Sequence, residues 1–448
     1  MAFVVFSCIL LLSIAISLLA RRNVIKNNMN DIMVASGSFG IFLLFFISVG
    51  EIYTIGTLIG APGSIYSRGA DYGVWFISYI LLAYVVGYFL NPAVWKIGRL
   101  SKAVTICDIL GWRFNSKGVQ LLLAGIAILF SIPYVQGQIA GLAMVLKYLN
   151  IGIGFGPTVI ISAVIAFIYI AAAGIRASAY VSILKDATLI IAVIIVGVAA
   201  AMAMRGGVGG LFHAVAEKMP KLLTVTTKPI TGGATFTLST VAFQMLGFYL
   251  FANNVQATLS SKSAKNLRRN AILMPLYMLM FPFLVITAYF ALLTIPGLKL
   301  ADYALLAVVV KLLPSWLVGL VAGGAALTAI LSMAVNGLTV GGLFSKNILG
   351  VIKPHLGQAT MAWWTQLVTG LFLFVGVIMA FCYPTLLASI INIVYSGATQ
   401  TCRIYVCVFL EKSHEVGRYG RFISGRGNVI MCNDFSIRTQ QGPYSANR

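Results

Sequence analysis

Two acidic residues of this sequence lie beside or within long apolar stretches. Glu51 follows the apolar run 39–49, and Asp186 lies in a second apolar region. An ionised carboxylate at the centre of a bilayer costs about 2.5–3.5 kcal/mol on insertion scales, so such a group should be paired, protonated or functional. Acids inside a membrane commonly act as proton relays. The sequence therefore predicts an ion-coupling site at Glu51, with Asp186 as the second candidate.

The backbone around Glu51 is predicted to leave the helical conformation. Residues that weaken a helix recur over the neighbouring turns: Gly50, Gly56, Gly60, Pro62 and Gly63. Irregular backbone at membrane depth is tolerated only where it is buried in protein or lines a cavity. A binding or coupling site is therefore favoured over the alternative, which is a helix contact through small residues with a neutral Glu51.

The composition is that of a helical membrane protein rather than a soluble domain, and the sequence shows no catalytic constellation that would predict an enzyme. Hydrophobic residues make up 60% and charged residues 9% of the 448-residue chain, and apolar windows of about 20 residues, long enough to span hydrocarbon, recur along it. The net charge of +21 comes from basic residues between these windows, which is typical of membrane topology rather than of nucleic-acid binding. No cofactor is expected, because His213, His355 and His414 lie in loops or the tail and the cysteines lack metal-binding spacing. A channel is disfavoured because the sequence shows no charged ring.

About eleven transmembrane helices are predicted, and the basic residues orient them. The spans are 3–20, 37–60, 72–91, 119–147, 156–174, 180–204, 236–256, 270–294, 316–343, 361–382 and 385–410. When alternate loops are assigned to opposite sides, one side holds sixteen Lys and Arg residues and the other holds eight. The richer side is expected to be cytoplasmic, which puts the N-terminus outside. Lys185 is counted with the cytoplasmic loops, and no Lys or Arg is expected within the membrane.

Two interrupted helices predict an inverted repeat. One is the helix around Glu51, and the other contains Gly247 among the polar and aromatic residues 243–249. Interrupted helices in matching positions are typical of transporters with two inverted halves and a substrate at mid-membrane. The expected organisation is an extra N-terminal helix and linker, a five-helix half, an extracellular loop, a second five-helix half and a polar tail: 1–36, 37–205, 206–235, 236–410 and 411–448. A chance spacing of glycines is the alternative.

Several motifs resemble the sodium:solute symporter family. Those that resemble its first, fifth and eighth core helices are Gly60–Tyr66 with Arg68 and Gly69, Ala173–Tyr180, and Leu327–Met333 with Ser345–Ile348. Those similar to its branch that carries short monocarboxylates are Gly50–Thr54, Leu184–Asp186 and Tyr395–Gln400. The resemblance implies an all-α polytopic membrane protein with a LeuT-type 5+5 inverted repeat and an extra N-terminal helix.

The resemblance also implies a sodium site, which this sequence matches only in part. The ligands carried over are the carbonyls of Gly50, Tyr53 and Ala329 and the hydroxyl of Ser332. A second hydroxyl of the family is replaced by Met333, whose soft thioether is a poor ligand for a hard cation, and the family's acid is replaced by Ser182. Asn336 and Asp186 each lie one turn beyond these two positions. A proton is therefore favoured over sodium as the coupling ion, although Asp186 is also compatible with an interfacial acid beside Lys185.

A substrate site is expected where the broken helices meet. Free backbone amides at residues 55–57 would present a positive helix end to a carboxylate. The side chains predicted to line the site are Tyr53, Thr54, Thr57, Gln136, Gln138, Gln244, Phe248 and Tyr249. Each of them is also compatible with a plain contact between helices. No Lys or Arg side chain is expected within the membrane to pair with the carboxylate of a substrate. A small amino acid, with its ammonium group near Glu51, is therefore an alternative substrate.

These features predict a secondary active transporter that imports a small monocarboxylate by cation-coupled symport through alternating access. A small amino-acid symporter and a transport-inactive or sensor-like protein are the alternatives. The inactive or sensor-like alternative takes account of residues 401–448, where the apolar character stops abruptly. This segment is compatible with a natural tail and with a shifted reading frame. We expect a plasma-membrane location, with the lipid bilayer and a small organic acid or amino acid as partners and neither nucleic acid nor another protein.

Overall fold

The computed structural model describes residues 1–20, 28–150, 154–225, 233–382 and Val394. Within these residues the chain is almost entirely helical and shows no strand, apart from an isolated bridge between Phe39 and Ser261. The predicted span 385–410, except Val394, and the predicted tail 411–448 lie outside the described residues. The expectations for those segments therefore stay predictions.

The α-helices are numbered α1 to α17 in chain order. Their bounds are Ala2–Ala20, Met29–Val34, Ile41–Ile52, Ala61–Arg68, Ala70–Ser101, Ile106–Phe114, Lys117–Tyr148, Phe155–Met202, Gly207–Lys218, Gly233–Gly247, Ala252–Leu259, Ala264–Leu273, Phe281–Thr294, Ala304–Leu312, Ser315–Gly342, Gly350–Ile352 and Gln358–Cys382. In the described part of the chain, seven helical segments are long and apolar enough to cross a membrane, and a bent pair adds an eighth. The all-α polytopic fold is confirmed.

The first predicted interruption lies between α3 and α4. Tyr53 leaves the helical conformation, with φ −94° and ψ 83°, and a wider helical turn over Gly56–Gly60 leads into α4. The axis bends by 53° between the two parts. The break lies where the glycines predict it, but Glu51 lies in the last turn of the regular helix before the break rather than in the unwound segment itself.

The second interruption lies between α10 and α11. A short 3-10 turn over Phe248–Leu250 follows α10, and Phe251 is extended. The Asn254 side chain reaches back and donates a hydrogen bond to the Phe248 carbonyl at 2.6 Å. A broken membrane helix needs such a donor, because no water at that depth pairs the freed carbonyl.

The two broken helices are joined by their backbones. The Phe39 amide donates to the Ser260 carbonyl, and the Lys262 amide donates to the Phe39 carbonyl, both at 2.9 Å. These bonds tie the approach to α3 to the end of α11. Arg99 at the end of α5 donates to the carbonyls of Gly37 and Ser261, which holds both segments to a third helix.

The predicted spans 156–174 and 180–204 follow each other without a loop within α8, and the regular helix is interrupted at Gly174. Gly174 has φ +56°, a left-handed conformation that favours glycine. A Cβ on Gly174 would also lie 2.6 Å from the Ile32 carbonyl oxygen. The membrane-crossing part runs over Gly174–Met202, so Lys185 lies inside a span and its assignment to a cytoplasmic loop is wrong.

The predicted extracellular loop 206–235 is not loop throughout. Its first part forms α9, whose Leu211 and Val215 are buried. Tyr289 on α13 donates its hydroxyl to the Leu222 carbonyl at 2.9 Å, which holds the segment after α9 against the bundle. The glycine- and proline-rich composition hid this short amphipathic helix.

Helix α15 forms the centre of the bundle. It is buried over nearly its whole length and packs against α1, α7, α8 and α17. Its glycines allow close approach of neighbours: a Cβ on Gly323 would lie 2.6 Å from the Ile9 side chain of α1. Small residues at helix contacts are how membrane bundles achieve dense packing.

An ion pair joins α2 to the start of the span in α8. The Arg176 guanidinium donates to both carboxylate oxygens of Asp31, at 3.2 and 2.6 Å, and to the Ala35 carbonyl at 3.1 Å. The Asp31 side chain is fully buried, and that of Arg176 is 16% exposed. The segment before the first broken helix is therefore fixed by charge as well as by packing.

We predict that Asp31→Asn lowers the thermal unfolding midpoint of the purified protein in detergent. Breaking a buried ion pair costs about 3–5 kcal/mol, and the lower end applies because Arg176 keeps its bond to Ala35. Glu217→Gln is the matched control, since its pair with His213 is 66–76% exposed and an exposed pair contributes about 0–1 kcal/mol. Equal midpoints for the two variants would contradict the assigned role of Asp31.

Candidate functional site

Glu51 links the two broken helices. Its carboxylate lies in a buried position and accepts a hydrogen bond from the Asn253 amide on α11, with 2.7 Å between Oε2 and Nδ2. Its other oxygen, Oε1, is buried and has no hydrogen-bond partner among the described residues. A buried acceptor without a donor is costly, so this oxygen is available to a proton or a ligand.

Lys185 lies at the first helix break. Its Nζ is 3.4 Å from the Gly50 carbonyl oxygen, 3.1 Å from the Tyr53 carbonyl oxygen and 2.6 Å from Asp186 Oδ1. The side chains of Lys185 and Asp186 are fully buried. An ammonium has three donors, and each has an acceptor here. The expectation that no cation lies within the membrane is therefore wrong.

Asp186 is part of a buried network rather than an interfacial acid. Besides Lys185, its Oδ1 accepts a hydrogen bond from the Tyr277 hydroxyl at 2.9 Å. Its Oδ2 has no hydrogen-bond partner among the described residues. The structure does not match an interfacial acid at the start of the span, because Asp186 is fully buried and lies well inside the span that begins at Gly174.

The residues carried over as sodium ligands meet Lys185 on one side and α15 on the other. The carbonyls of Gly50 and Tyr53 accept from the ammonium, and a Cβ on Gly50 would lie 3.2 Å from the Ser182 Cβ and 3.3 Å from the Leu331 side chain. Ser182 itself donates to the Ala179 carbonyl at 2.8 Å. The predicted partners on α15, which are Ala329, Ser332 and Asn336, are all buried. Ser332 Oγ and Asn336 Oδ1 have no hydrogen-bond partner among the described residues.

The backbone amides after the first break are occupied. The Ile55 amide donates to Gln138 Oε1 at 3.4 Å, and the Gly56 amide donates to the Thr54 hydroxyl at 3.3 Å. The Thr57 amide donates to the Thr54 carbonyl at 2.9 Å. The expected free amides are therefore capped in this conformation, two of them by side chains that were themselves predicted to line the site.

Aromatic residues close the site on the α5 side. The hydroxyls of Tyr53 and Tyr84 are 2.6 Å apart, and the Tyr53 and Tyr277 ring centroids are 4.3 Å apart. Tyr249 packs on Gly87, where a Cβ would lie 2.3 Å from its ring. The first break thus lies among rings from α5, α13 and the turn before it.

The predicted site residues fall into two groups. Glu51, Tyr53, Thr54 and Gln138 converge at the first break through the contacts described above. Phe248 and Tyr249 lie at the second break, and Gln244 accepts a hydrogen bond from the Trp75 indole on α5 at 3.0 Å. Thr57 is buried on the turn after the break, and Gln136 is buried on α7.

Sequence reasoning missed Lys185, Asn253, Tyr277 and Tyr84. Two local signals were present. Lys185 stands directly beside Asp186 in a long apolar stretch, and the pair Asn253–Asn254 follows the aromatic break at once. For Tyr277 and Tyr84 no local signal exists, because their partners are far away in the sequence.

Comparison with known proteins decides the family. The family description "Sodium:solute symporter family" matches residues 33–418, which is most of the chain and extends beyond Gln400. The chain belongs to the sodium:solute symporter family. Like the other members of this family it is a cation-coupled solute symporter of the membrane rather than an enzyme.

Two relatives and one solved structure illustrate the similarity. The chain is 30% identical over 449 residues to the uncharacterised symporter YhjB of Bacillus subtilis (strain 168), covering 98% of this chain and 90% of the relative. It is 27% identical over 336 residues to a monocarboxylate transport permease protein of Rhizobium johnstonii, covering 74% and 67%. A Na+-coupled sialic acid symporter in a substrate-bound outward-open state has the same fold, with a TM-score of 0.73, 15% identity and coverage of 85% and 80%. The LeuT-type architecture expected for the symporter family is thereby confirmed.

We predict that Gly141→Ala lowers the thermal unfolding midpoint, whereas Gly125→Ala on the same helix does not. A Cβ on Gly141 would lie 2.8 Å from the Ile55 side chain, while nothing lies within 4 Å of a Cβ on Gly125. Overpacking costs about 1–3 kcal/mol, whereas alanine for glycine in an open helical position gains up to about 1 kcal/mol. Opposite shifts support the close packing at the break, and parallel shifts would contradict it.

Proposed function

We propose that this protein imports a small monocarboxylate together with a proton, by alternating access. A permease named for monocarboxylate transport is among its relatives, which supports the substrate class. The observation that carries the choice of ion is the Lys185 ammonium, which bonds to the two carbonyls that the family resemblance assigns to sodium. With these carbonyls occupied, a sodium ion has no free ligands at this position, and a sodium gradient is not expected to drive transport through it.

The first break supports a carboxylate site. Gln138 Oε1 lies 3.4 Å from the Ile55 amide, which is a long hydrogen bond. An incoming carboxylate oxygen can replace Gln138 there and gain a charge-assisted bond at the start of the resumed helix. In this proposal the substrate is also in reach of the hydroxyls of Thr54 and Thr57, with Gln136 on the facing helix. The second break contributes Gln244, Phe248 and Tyr249 as a wall.

Glu51 is the proposed proton site. It lies in the last turn of α3 and bonds to Asn253 at the start of α11, so its charge state acts on both broken helices at once. Asp186 suits the role less well, because it already pairs with Lys185 and Tyr277. An acid that joins the two broken helices can couple ion and substrate, since a change of its charge alters the balance between the arrangements of these helices.

A small amino acid is the second candidate substrate. The buried, unpaired Glu51 Oε1 is an acceptor that a substrate ammonium would satisfy. In that case Glu51 stays ionised and binds the substrate instead of carrying a proton. The two candidates therefore assign different roles to one carboxylate and are separated by the same uptake experiment.

The proposed setting is the plasma membrane with the N-terminus outside. The excess of basic residues on one set of loops supports this orientation. Moving Lys185 from the loops into the membrane leaves that excess in place. The assignment is tested with a cysteine introduced at an exposed position of α9, such as Glu217. In intact cells, a membrane-impermeant reagent should label this cysteine if α9 lies outside.

We predict that reconstituted protein accumulates labelled acetate or pyruvate when the outside is acidic, whereas an inward sodium gradient at equal pH has no effect. Glu51→Gln should reduce the pH-driven uptake, because coupling between two sites is typically worth about 5- to 150-fold. Glu217→Gln makes the same chemical change on exposed α9 and should leave uptake unchanged.

Uptake that follows the sodium gradient and ignores the pH gradient would refute proton coupling. Accumulation of labelled alanine but of neither carboxylate would favour the amino-acid candidate. A reduction that is equal in Glu51→Gln and Glu217→Gln would remove Glu51 from the mechanism.

A further inference from the structure

We propose that the Lys185 ammonium is a built-in replacement for a transported sodium ion, so that this site binds no sodium as long as Lys185 is present. The inference rests on the proposed function, because it concerns the cation that organises the transport site. It goes further in naming the residue that excludes sodium and the change that would restore it. Its test measures ion binding and requires no substrate.

The position of the Lys185 ammonium is that of a bound cation. Carbonyl oxygens of Gly50 and Tyr53, freed at the break in the first helix, both point at Nζ, and Asp186 supplies the balancing negative charge. A sodium ion would need the same oxygens, because hard cations are held by carbonyl, hydroxyl and carboxylate groups. Two cations cannot share them, since like charges at such a separation repel strongly in a buried site.

The neighbouring residues show a rearranged site rather than a lost one. The position where the family has an acid holds Ser182, whose Cβ lies against Gly50. The acid of this chain, Asp186, lies one turn later, with the lysine directly before it. Lysine and aspartate together bring no net charge into the bundle, which allows both to be buried. The pair therefore supplies the cation and its counter-charge from one helix.

Buried oxygen atoms suited to sodium remain on α8 and on the adjoining α15. Asp186 Oδ2 and Ser332 Oγ are buried and have no hydrogen-bond partner within the described residues. Ser332 lies on α15, which packs against both α3 and α8, and its neighbour Leu331 faces Gly50. If the lysine side chain were shortened, two carbonyls and a carboxylate would border the space that it leaves, and Ser332 on the adjoining α15 is the hydroxyl that we assign to the same site. That set is the kind that binds sodium.

The experiment compares sodium binding by the purified full-length protein and three variants. Binding of ²²Na+ and the thermal unfolding midpoint are measured in NaCl, KCl and choline chloride at equal ionic strength. Lys185→Ala opens the space and should gain one saturable sodium site and a midpoint that rises in NaCl only. Lys185→Met fills the space without charge and should gain neither. Lys185→Ala combined with Asp186→Asn should lose the gain.

The wild-type protein supplies the reference. We expect it to bind one sodium fewer per chain than Lys185→Ala, whether or not another sodium site exists elsewhere. Equal sodium binding by the two proteins would overturn the proposal, and so would a Lys185→Ala variant that stays unfolded in NaCl as well as in KCl. If the sodium pattern holds while no carboxylate is accumulated, the proposed substrate is wrong and the inference on Lys185 stands.

Discussion

The bond between the Lys185 ammonium and the broken first helix is the interaction on which the site depends. A helix interrupted within a membrane exposes carbonyls that lipid cannot satisfy. Here two of them are satisfied by one side chain from α8, and the contact with Asp186 holds that side chain in place. The same three groups thereby fix the bend, the position of Glu51 just before it and the contact between α3 and α8.

The second broken helix completes the arrangement from the opposite half of the chain. Asn253 meets the Glu51 carboxylate, and Asn254 pairs the carbonyl left by the break. Polar groups at both interruptions are thus used within the protein, while α15 and α5 provide the apolar walls around them. These contacts allow a chain with 9% charged residues to bury the side chains of Glu51, Lys185, Asp186, Asn253 and Asn254 at its two helix breaks.

Much of the architecture was predictable because it depends on local sequence. Apolar windows predict the spans, and the glycines around Glu51 predict the first break. The second break also lies where Gly247 and its aromatic neighbours indicate it. The position of Lys185 was misjudged because the lysine was counted with the loop of Arg176, although the predicted span 180–204 contains it and the structure starts that span at Gly174.

The capping of the amides was not predictable for a different reason. Whether the Ile55 amide is free depends on Gln138, which comes from another helix and faces it only after folding. The pairing of Tyr53 with Tyr84 and of Tyr277 with Asp186 depends in the same way on how α3, α5, α8 and the turn before α13 meet. Residue types suggested that these side chains take part in a site, while the partners required the tertiary structure.

The backbone bridge at Phe39 has a consequence for how this chain tolerates sequence change. Both bonds between the broken helices use only main-chain atoms, so nearly any residue that fits the space preserves them. Proline is the exception at positions 39 and 262, because it has no amide hydrogen to donate. Side chains at this junction are therefore free to diverge among relatives while the joint itself persists.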